Sequence, residues 1–297
     1  MFASLHIAVL GGDDRYVHVM KQLLKQGANI TAVGYPAELF NDEKITCTTI
    51  ANVAFETVDA LLLPVAGMDE YGNIKSYNKQ ETFKLIEKML HKTPENCTIF
   101  TGTANNWLRN LSKQTSREMI VLFERDDIAI ANSIPTAEAT LQIAMVETSE
   151  TIHNTNVLII GYGRVGKTMA HLFHQVGANV SVAARKDNDL AEIATKTYHD
   201  IDMKKLPEQL AAQKIIINTV PAEILGANIL EKVAKNSLII DVASKPGGTD
   251  FIKAEQLGIH TVHALGLPGK VAPTTAGNII GNVLTTLLQR NLEGESS

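Results

Sequence analysis

The sequence predicts an α/β protein built from two tandem domains with mainly parallel sheets. Three observations carry that expectation: an internal repeat, apolar runs alternating with helical stretches, and a glycine turn after the first run of each copy. Leu5–Val33 reads LHIAVLGGDDRYVHVMKQLLKQGANITAV, and Thr155–Ala183 reads TNVLIIGYGRVGKTMAHLFHQVGANVSVA. Gly11 falls on Gly161 and Gly27 on Gly177, both 150 positions further on. Each copy therefore holds a strand, a glycine turn, a helix and a second strand, a βαβ unit used twice.

The elements follow in chain order. After the first copy, Ala60–Leu63, Cys97–Phe100 and Ile120–Phe123 are short apolar runs expected to add strands. A linker helix is expected over 133–150, opening near Ser133 and Pro135, because Pro is tolerated in a first turn and Glu138 complements the positive end of the dipole. Ile134, Ala137, Leu141, Ala144 and Met145 would be its buried stripe. In the second copy Met169, Leu172, Phe173 and Val176 lie at i, i+3, i+4 and i+7, which places one helical face on a sheet. Lys214–Ile217, Leu238–Asp241 and Ile259–Val262 continue that sheet. A last helix carries Ile279, Ile280, Val283, Leu284, Leu287 and Leu288 at helical spacing and is expected to pack back on the first domain. The expected division is a Rossmann-like first domain over 1–132, completed by 276–297, the linker helix, and a second Rossmann-like domain over 151–275.

Composition narrows the class of function. In 297 residues, 27 basic and 32 acidic side chains give a net charge of −5 with no block of one sign, which argues against a duplex-DNA binder. The only cysteines, Cys47 and Cys97, are far apart and lack neighbours at metal-ligand spacing. They are expected to pack as small apolar side chains. The apolar run Ile7–Leu10 is too short for a signal segment, and no stretch approaches the roughly 18 residues that span a bilayer. The expectation is a cytoplasmic protein with neither nucleic-acid nor membrane partners.

The two glycine turns differ chemically. Gly161-Tyr162-Gly163-Arg164-Val165-Gly166 is a G-x-G-x-x-G between an apolar strand and a helix, the context of a dinucleotide fingerprint. Arg164 can add a charge-assisted contact to phosphate. Where an NAD enzyme places an acid for the ribose 2′-hydroxyl, the chain reads Ala183-Ala184-Arg185-Lys186. The planar fork of Arg185 suits a 2′-phosphate, so NADP is the expected cofactor; the other reading makes Arg185 a solvated residue and the cofactor NAD, with Asp187 nearby. The first copy carries Asp13 and Tyr16 at the positions of Gly163 and Gly166, and Asp14 at that of Arg164. Two carboxylates beside a helix N-terminus repel pyrophosphate, so the first domain is expected to bind no dinucleotide, and an interdomain cleft would carry cofactor on one wall and substrate on the other.

Several separated segments together resemble the A subunit of dipicolinate synthase. They are the turn Gly11–Arg15, the run Phe123–Ile130, the segment Asn132–Thr136, Asp241–Phe251, Gly266-Leu267-Pro268-Gly269 and Ala272-Pro273. The resemblance covers nearly the whole chain; the two-domain plan is also similar, more distantly, to D-2-hydroxyacid and alanine dehydrogenases. It implies an NADP-dependent enzyme of the mother-cell cytoplasm of spore formers, which oxidises dihydrodipicolinate, or its hydrated precursor, to dipicolinate. It also implies that the partner is a flavoprotein-like B subunit; a homo-oligomer stays open.

A planar dianion that loses a hydride and a proton needs donors for two carboxylates and a proton acceptor. Arg15 can clamp a carboxylate or pair with Asp13 or Asp14. Thr101-Gly102-Thr103 offers hydroxyls and amides to an anion, or caps a helix. Arg125 can bind substrate and Asp126 act as base, with Asp127 favoured as a structural partner. Asn218-Thr219-Val220-Pro221 is expected beside the nicotinamide ribose, which adds Thr219, Val220 and Pro221 to the cofactor residues. Lys245 is the first choice for contacting the substrate carboxylate or polarising the ring. Leu267-Pro268-Gly269 has the chemistry of a type II turn. His263 reads as an acid–base group or a packed ring, and His171 with His174 lack a third metal ligand. Two other functions remain open: an amino-acid or 2-hydroxyacid dehydrogenase on the same scaffold, or a non-catalytic NADP-binding subunit.

Overall fold

The computed structural model describes residues 2–77 and 79–293. The described residues up to Ala129, joined by those from Ala272 onward, form one unit, and Ile130–Val271 form the other. In the first unit the strands are β1 (His6–Leu10), β2 (Asn29–Val33), β3 (Ile45–Thr48), β4 (Ala60–Leu62), a hairpin of β5 (Asn73–Lys75) and β6 (Thr82–Lys84), then β7 (Thr98–Thr101) and β8 (Met119–Val121). Its helices are α1 (Asp14–Lys25), α2 (Glu87–Leu90) and α3 (Asn106–Gln114). Helix α4 (Asp126–Glu147) leads into the second unit. There follow β9 (Asn156–Ile160), α5 (Arg164–Gln175), β10 (Asn179–Ala184), α6 (Asp187–Ala194), β11 (His199–Asp202) and α7 (Leu206–Gln209). The unit continues with β12 (Ile215–Asn218), α8 (Ala227–Leu230), β13 (Leu238–Asp241), α9 (Phe251–Gln256), β14 (His260–His263) and α10 (Leu267–Val271). Helix α11 (Pro273–Glu293) closes the chain.

Both main sheets are six-stranded and parallel throughout, in the orders β3-β2-β1-β4-β7-β8 and β11-β10-β9-β12-β13-β14. Each order reverses direction beside its first strand, so each glycine turn emerges at the switch point, where open α/β sheets bind ligands. The alternation of the pleat sorts each strand between two cores. Ile7 and Val9 face α1 and α11 in one cluster, while Ala8 and Leu10 join Leu61, Ile99 and Leu108 in the other. In the second unit Val157 and Ile159 pack with Met169 and Phe173, and Leu158 and Ile160 with Leu206, Leu210 and Ala254.

Helix α11 packs back on the first unit as expected, placing Ile280, Leu284, Leu287 and Leu288 in the cluster with Tyr16, Met20 and Leu23. The approach of α11 to α1 depends on small residues. A Cβ added at Gly277 would lie 2.4 Å from the Arg15 carbonyl oxygen, and one at Gly281 would lie 2.3 Å from Gln22 Oε1.

Three features differ from the sequence expectation. Helix α4 starts at Asp126, seven residues before Ser133, because Asp126 and Asp127 supply acidic side chains to its first turn and Asp127 Oδ1 accepts from Ile128 N at 2.8 Å. Pro135 therefore sits in the helix interior, where Ser133 and Thr136 hydroxyls donate to the carbonyls of Ile130 and Asn132. The buried face of α4 is also rotated: Ser133, Ala137, Thr140 and Ala144 are buried, whereas Ile134 and Met145 are 55% and 54% exposed. Small side chains win that face because they let α4 approach α5 closely enough for the Ser133 and Thr168 hydroxyls to meet at 2.6 Å. Finally, Leu267-Pro268-Gly269 opens α10 instead of forming a type II turn. The left-handed position falls at Gly266, with φ +67°, three residues before Gly269, and Pro268 occupies the first helical turn, where its missing N–H costs nothing.

Gly277→Ala should destabilise the chain by about 1–3 kcal/mol, since α11 must back away from the Arg15 carbonyl. Denaturant unfolding measures this, and an unchanged midpoint would contradict the packing described.

Candidate functional site

The two glycine turns start from the same strand–turn–helix geometry and end in opposite states. In the first unit Asp13 is the N-cap of α1, and its carboxylate accepts from Arg15 N at 3.1 Å. The same carboxylate holds the Arg15 guanidinium in a fork, Nε to Oδ1 at 2.9 Å and Nη2 to Oδ2 at 2.5 Å. Tyr16 is fully buried and donates its hydroxyl to Leu63 O at 2.7 Å, while Tyr35 donates to Gly11 O at 2.8 Å. Burial pushes both phenols well above their ordinary range, so both act as neutral donors. The β5–β6 hairpin closes over the turn: a Cβ at Gly11 would lie 2.2 Å from Lys75 O, and Tyr77 donates to Asp14. Side chains and a hairpin thus fill the space that a pyrophosphate would take.

In the second unit the N-cap of α5 is Gly163, which makes no side-chain cap hydrogen bond. A Cβ built at Gly163 meets nothing within 4 Å, so the first turn of α5 faces open space. Gly161, at φ +99°, would bring a Cβ to 2.5 Å from Thr219 Oγ1 and 2.8 Å from Val220 Cγ2. Gly166 would bring one to 2.1 Å from Gly161 O. The three glycines therefore do what the fingerprint requires, and the open cradle at the helix N-terminus fits a dinucleotide pyrophosphate. Tyr162, inside the turn, is buried; its hydroxyl donates to Glu192 at 3.4 Å, Lys167 lies over its ring, and burial with Glu192 pushes its phenol up to about 12. Lys167 also pairs with Glu192 at 2.6 Å, tying α5 to α6.

The remaining cofactor candidates gather on the same edge of the second sheet. Arg164 and Val165 open α5, and Thr219 Oγ1 donates to Ile160 O at 2.8 Å, which locks the Thr219–Pro221 turn under Gly161. Arg185 is exposed directly after β10 and has no hydrogen-bond or ion-pair partner among the described residues, while Asp187 lies in the first turn of α6. Lys245 is also exposed, in the 244–249 turn beyond β13. That turn rests on the Thr219–Pro221 turn: a Cβ at Gly248 would lie 2.2 Å from Asn218 Nδ2 and 2.7 Å from Val220 O. His263 stacks on Phe251 at 4.7 Å between ring centroids, and His174 bonds to Thr197 Oγ1 at 2.7 Å.

The first-unit candidates form a separate group. Thr101 is buried and donates to Thr103 O, Thr103 donates to Val65 O, and Phe123 N reaches Gly102 O, so the Thr101–Thr103 turn adjoins the segment ending at Arg125. Asn105, not either threonine, caps α3, accepting from Leu108 N at 2.9 Å. Arg125 pairs with Asp127 through bonds of 3.1 and 2.8 Å, which lowers the Asp127 carboxyl below its ordinary range; Asp126 is exposed in the first turn of α4. Arg15 is held by the carboxylate of Asp13. Sequence reasoning missed Asp241, a fully buried carboxylate at the end of β13 and the register partner of Asn218 at the end of β12. The available signal was an acid ending the apolar run Leu238–Asp241.

Comparison with known proteins adds a family likeness to this geometry. Residues 6–123 match the family described as the N-terminal domain of the dipicolinate synthase A subunit, and residues 129–245 match the NAD-binding domain of D-isomer specific 2-hydroxyacid dehydrogenases. The chain is 41% identical over 288 residues to the dipicolinate synthase A subunit of Bacillus subtilis, covering 97% of each protein. Among solved structures, the dipicolinate synthase A subunit from Bacillus halodurans superposes with a TM-score of 0.94 at 41% identity, covering 97% of this chain and 99% of that one. The corresponding Bacillus subtilis structure also gives 0.94, at 40% identity and 99% coverage of both chains. No helix among the described residues is long and apolar enough to cross a membrane.

Gly163→Asp would give the second turn the cap of the first. It should raise stability by a few tenths of a kcal/mol and weaken nicotinamide dinucleotide binding at least about 10-fold, read by thermal melting and titration calorimetry. Unchanged affinity would contradict the open-cradle account.

Proposed function

The chain belongs to the family of dipicolinate synthase A subunits, and from that premise we propose that it oxidises dihydrodipicolinate, taken up as such or formed from its hydroxy-tetrahydro precursor by loss of water, to dipicolinate with NADP as acceptor. The dehydrogenase-type domain supports an oxidoreductase with a nicotinamide cofactor. The single observation that carries the reading is the open, uncapped N-terminus of α5 beside Gly161 and Gly166.

When bound, the nicotinamide accepts the hydride that leaves the ring. The chain's residues hold and orient it. First-turn amides and the charge of Arg164 bind the pyrophosphate, and Thr219, Val220 and Pro221 border the nicotinamide half. Arg185, without a protein partner among the described residues, takes the 2′-phosphate of NADP, because its planar fork offers paired donors where an acid would repel. Lys245 holds a substrate carboxylate by charge, leaving the ring oriented for hydride loss while the accompanying proton passes to a base or to water. Arg125 is the next candidate for a carboxylate and Asp126 for the base, with Thr101 and Thr103 as further anion donors. Arg15 acts through its fork with Asp13, holding the first turn closed rather than meeting substrate.

The Bacillus subtilis relative is named as one subunit of a synthase, which supports assembly with a second. We propose that this partner is flavoprotein-like and that the two work in the mother-cell cytoplasm of a sporulating bacterium. Purified chain, by itself and with that partner, should reduce NADP when supplied with enzymatically generated dihydrodipicolinate and should form pyridine dicarboxylate. Failure in both conditions contradicts the proposal. Arg185→Ala should lower the NADP-to-NAD affinity ratio about 10- to 100-fold, the worth of a charge-assisted phosphate contact, and an unchanged ratio removes Arg185 from the account. Lys245→Met should cut kcat at least about 10-fold with NADP affinity retained; normal turnover clears Lys245 of a direct role.

A further inference from the structure

Asp241 is fully buried, and among the described residues its carboxylate accepts four hydrogen bonds from neutral donors. Oδ2 accepts from Asn218 Nδ2 at 3.1 Å, Gly248 N at 3.0 Å and Thr249 Oγ1 at 2.7 Å, and Oδ1 accepts from Ala243 N at 3.0 Å. A buried anion is costly unless its lone pairs are filled, so these donors are fixed in place with it. They come from two turns. Ala243, Gly248 and Thr249 frame the turn that carries Lys245. Asn218 opens the turn carrying Thr219–Pro221, and it is locked there by Nδ2 to Val220 O at 3.0 Å and Val220 N to Oδ1 at 3.2 Å. Asn218 and Asp241 are register partners at the ends of adjacent parallel strands, and Gly248 O accepts from Ile224 N and Leu225 N just beyond the first turn.

We propose that Asp241 is a positioning residue that joins the cofactor-side turn Thr219–Pro221 to the Lys245 turn, so that dinucleotide binding sets Lys245 in place before substrate arrives. This rests on the function proposed above and deepens it by assigning the placement of Lys245 to four hydrogen bonds. An acceptor-only side chain is required: with Asn at 241, at least one of the four donors necessarily faces an amide N–H₂. The chemistry of Asp241 never touches the reacting atoms, and its effect passes through Lys245.

The test uses hydrogen exchange of the 242–250 segment in the full chain, with NADP and with NAD as separate probes, beside steady-state kinetics with the partner subunit. In the wild type, dinucleotide should slow exchange of the Ala243 and Gly248 amides. In Asp241→Asn those amides should exchange about 10-fold faster and no longer respond to dinucleotide, while dinucleotide Kd stays within about twofold and kcat falls about 10- to 100-fold. Thr249→Val, which removes one half-buried donor, should shift exchange and kcat in the same direction by less, and Thr249→Ser should restore both. This second pair decides the matter if Asp241→Asn does not fold. A dinucleotide response at 242–250 that is undiminished in either variant overturns the proposal, and so does a kcat loss explained entirely by lost cofactor affinity. Dinucleotide binding without any turnover in the wild type would refute the proposed oxidation and leave the joining of the turns to the exchange result.

Discussion

The structure turns on what satisfies the first amides of a helix. At α1 the carboxylate of Asp13 does so, and its remaining lone pairs gather Arg15. At α5 a glycine stands in the same place and no side chain caps it. A helix N-terminus left open at a sheet's switch point attracts an anion, whereas one closed by its own carboxylate repels it. The other differences between the two turns follow from this choice. Tyr16 fills the place that Gly166 leaves empty, Tyr35 bonds to the Gly11 carbonyl, and the β5–β6 hairpin lies over the turn.

In the second unit the same economy governs the strand ends. Parallel strands in register deliver Asn218 and Asp241 side by side, and the turns beyond them are held by hydrogen bonds to those two side chains rather than by apolar packing. Gly248 permits the contact, since any Cβ there would strike Asn218 or the Val220 carbonyl. The exposed Lys245 is thereby carried on a turn whose two sides are hydrogen-bonded to one buried carboxylate.

Much of this was legible because backbone constraints leave identity signals. Gly161 and Gly166 are glycine for reasons a pattern can state, and the offset repeat and the alternation of strands with helices led to both parallel sheets. Other features were hidden where local preference was weak or the partners distant. The edge strands β3 and β11, ITCT and HDID, carry too little apolar character to be read as strands. Helix α4 is apolar on several sides, so spacing could not reveal that Ser133, Ala137, Thr140 and Ala144 take the buried face. Pro268-Gly269 satisfies turn and helix-start chemistry equally, and the neighbouring Gly266 decided between them. Arg15 had a free and a paired reading, and the choice depended on the rotamer of Asp13. The role of Asp241 was invisible because one of its donors lies 23 residues away.

The central claim is that only the later of the two turns receives a dinucleotide. Hydrogen exchange of the intact chain with saturating NADP tests it most directly, by comparing the amides of 11–16 with those of 161–166. The account predicts marked slowing at 161–166 and none at 11–16; slowing at 11–16 with 161–166 unchanged would contradict it.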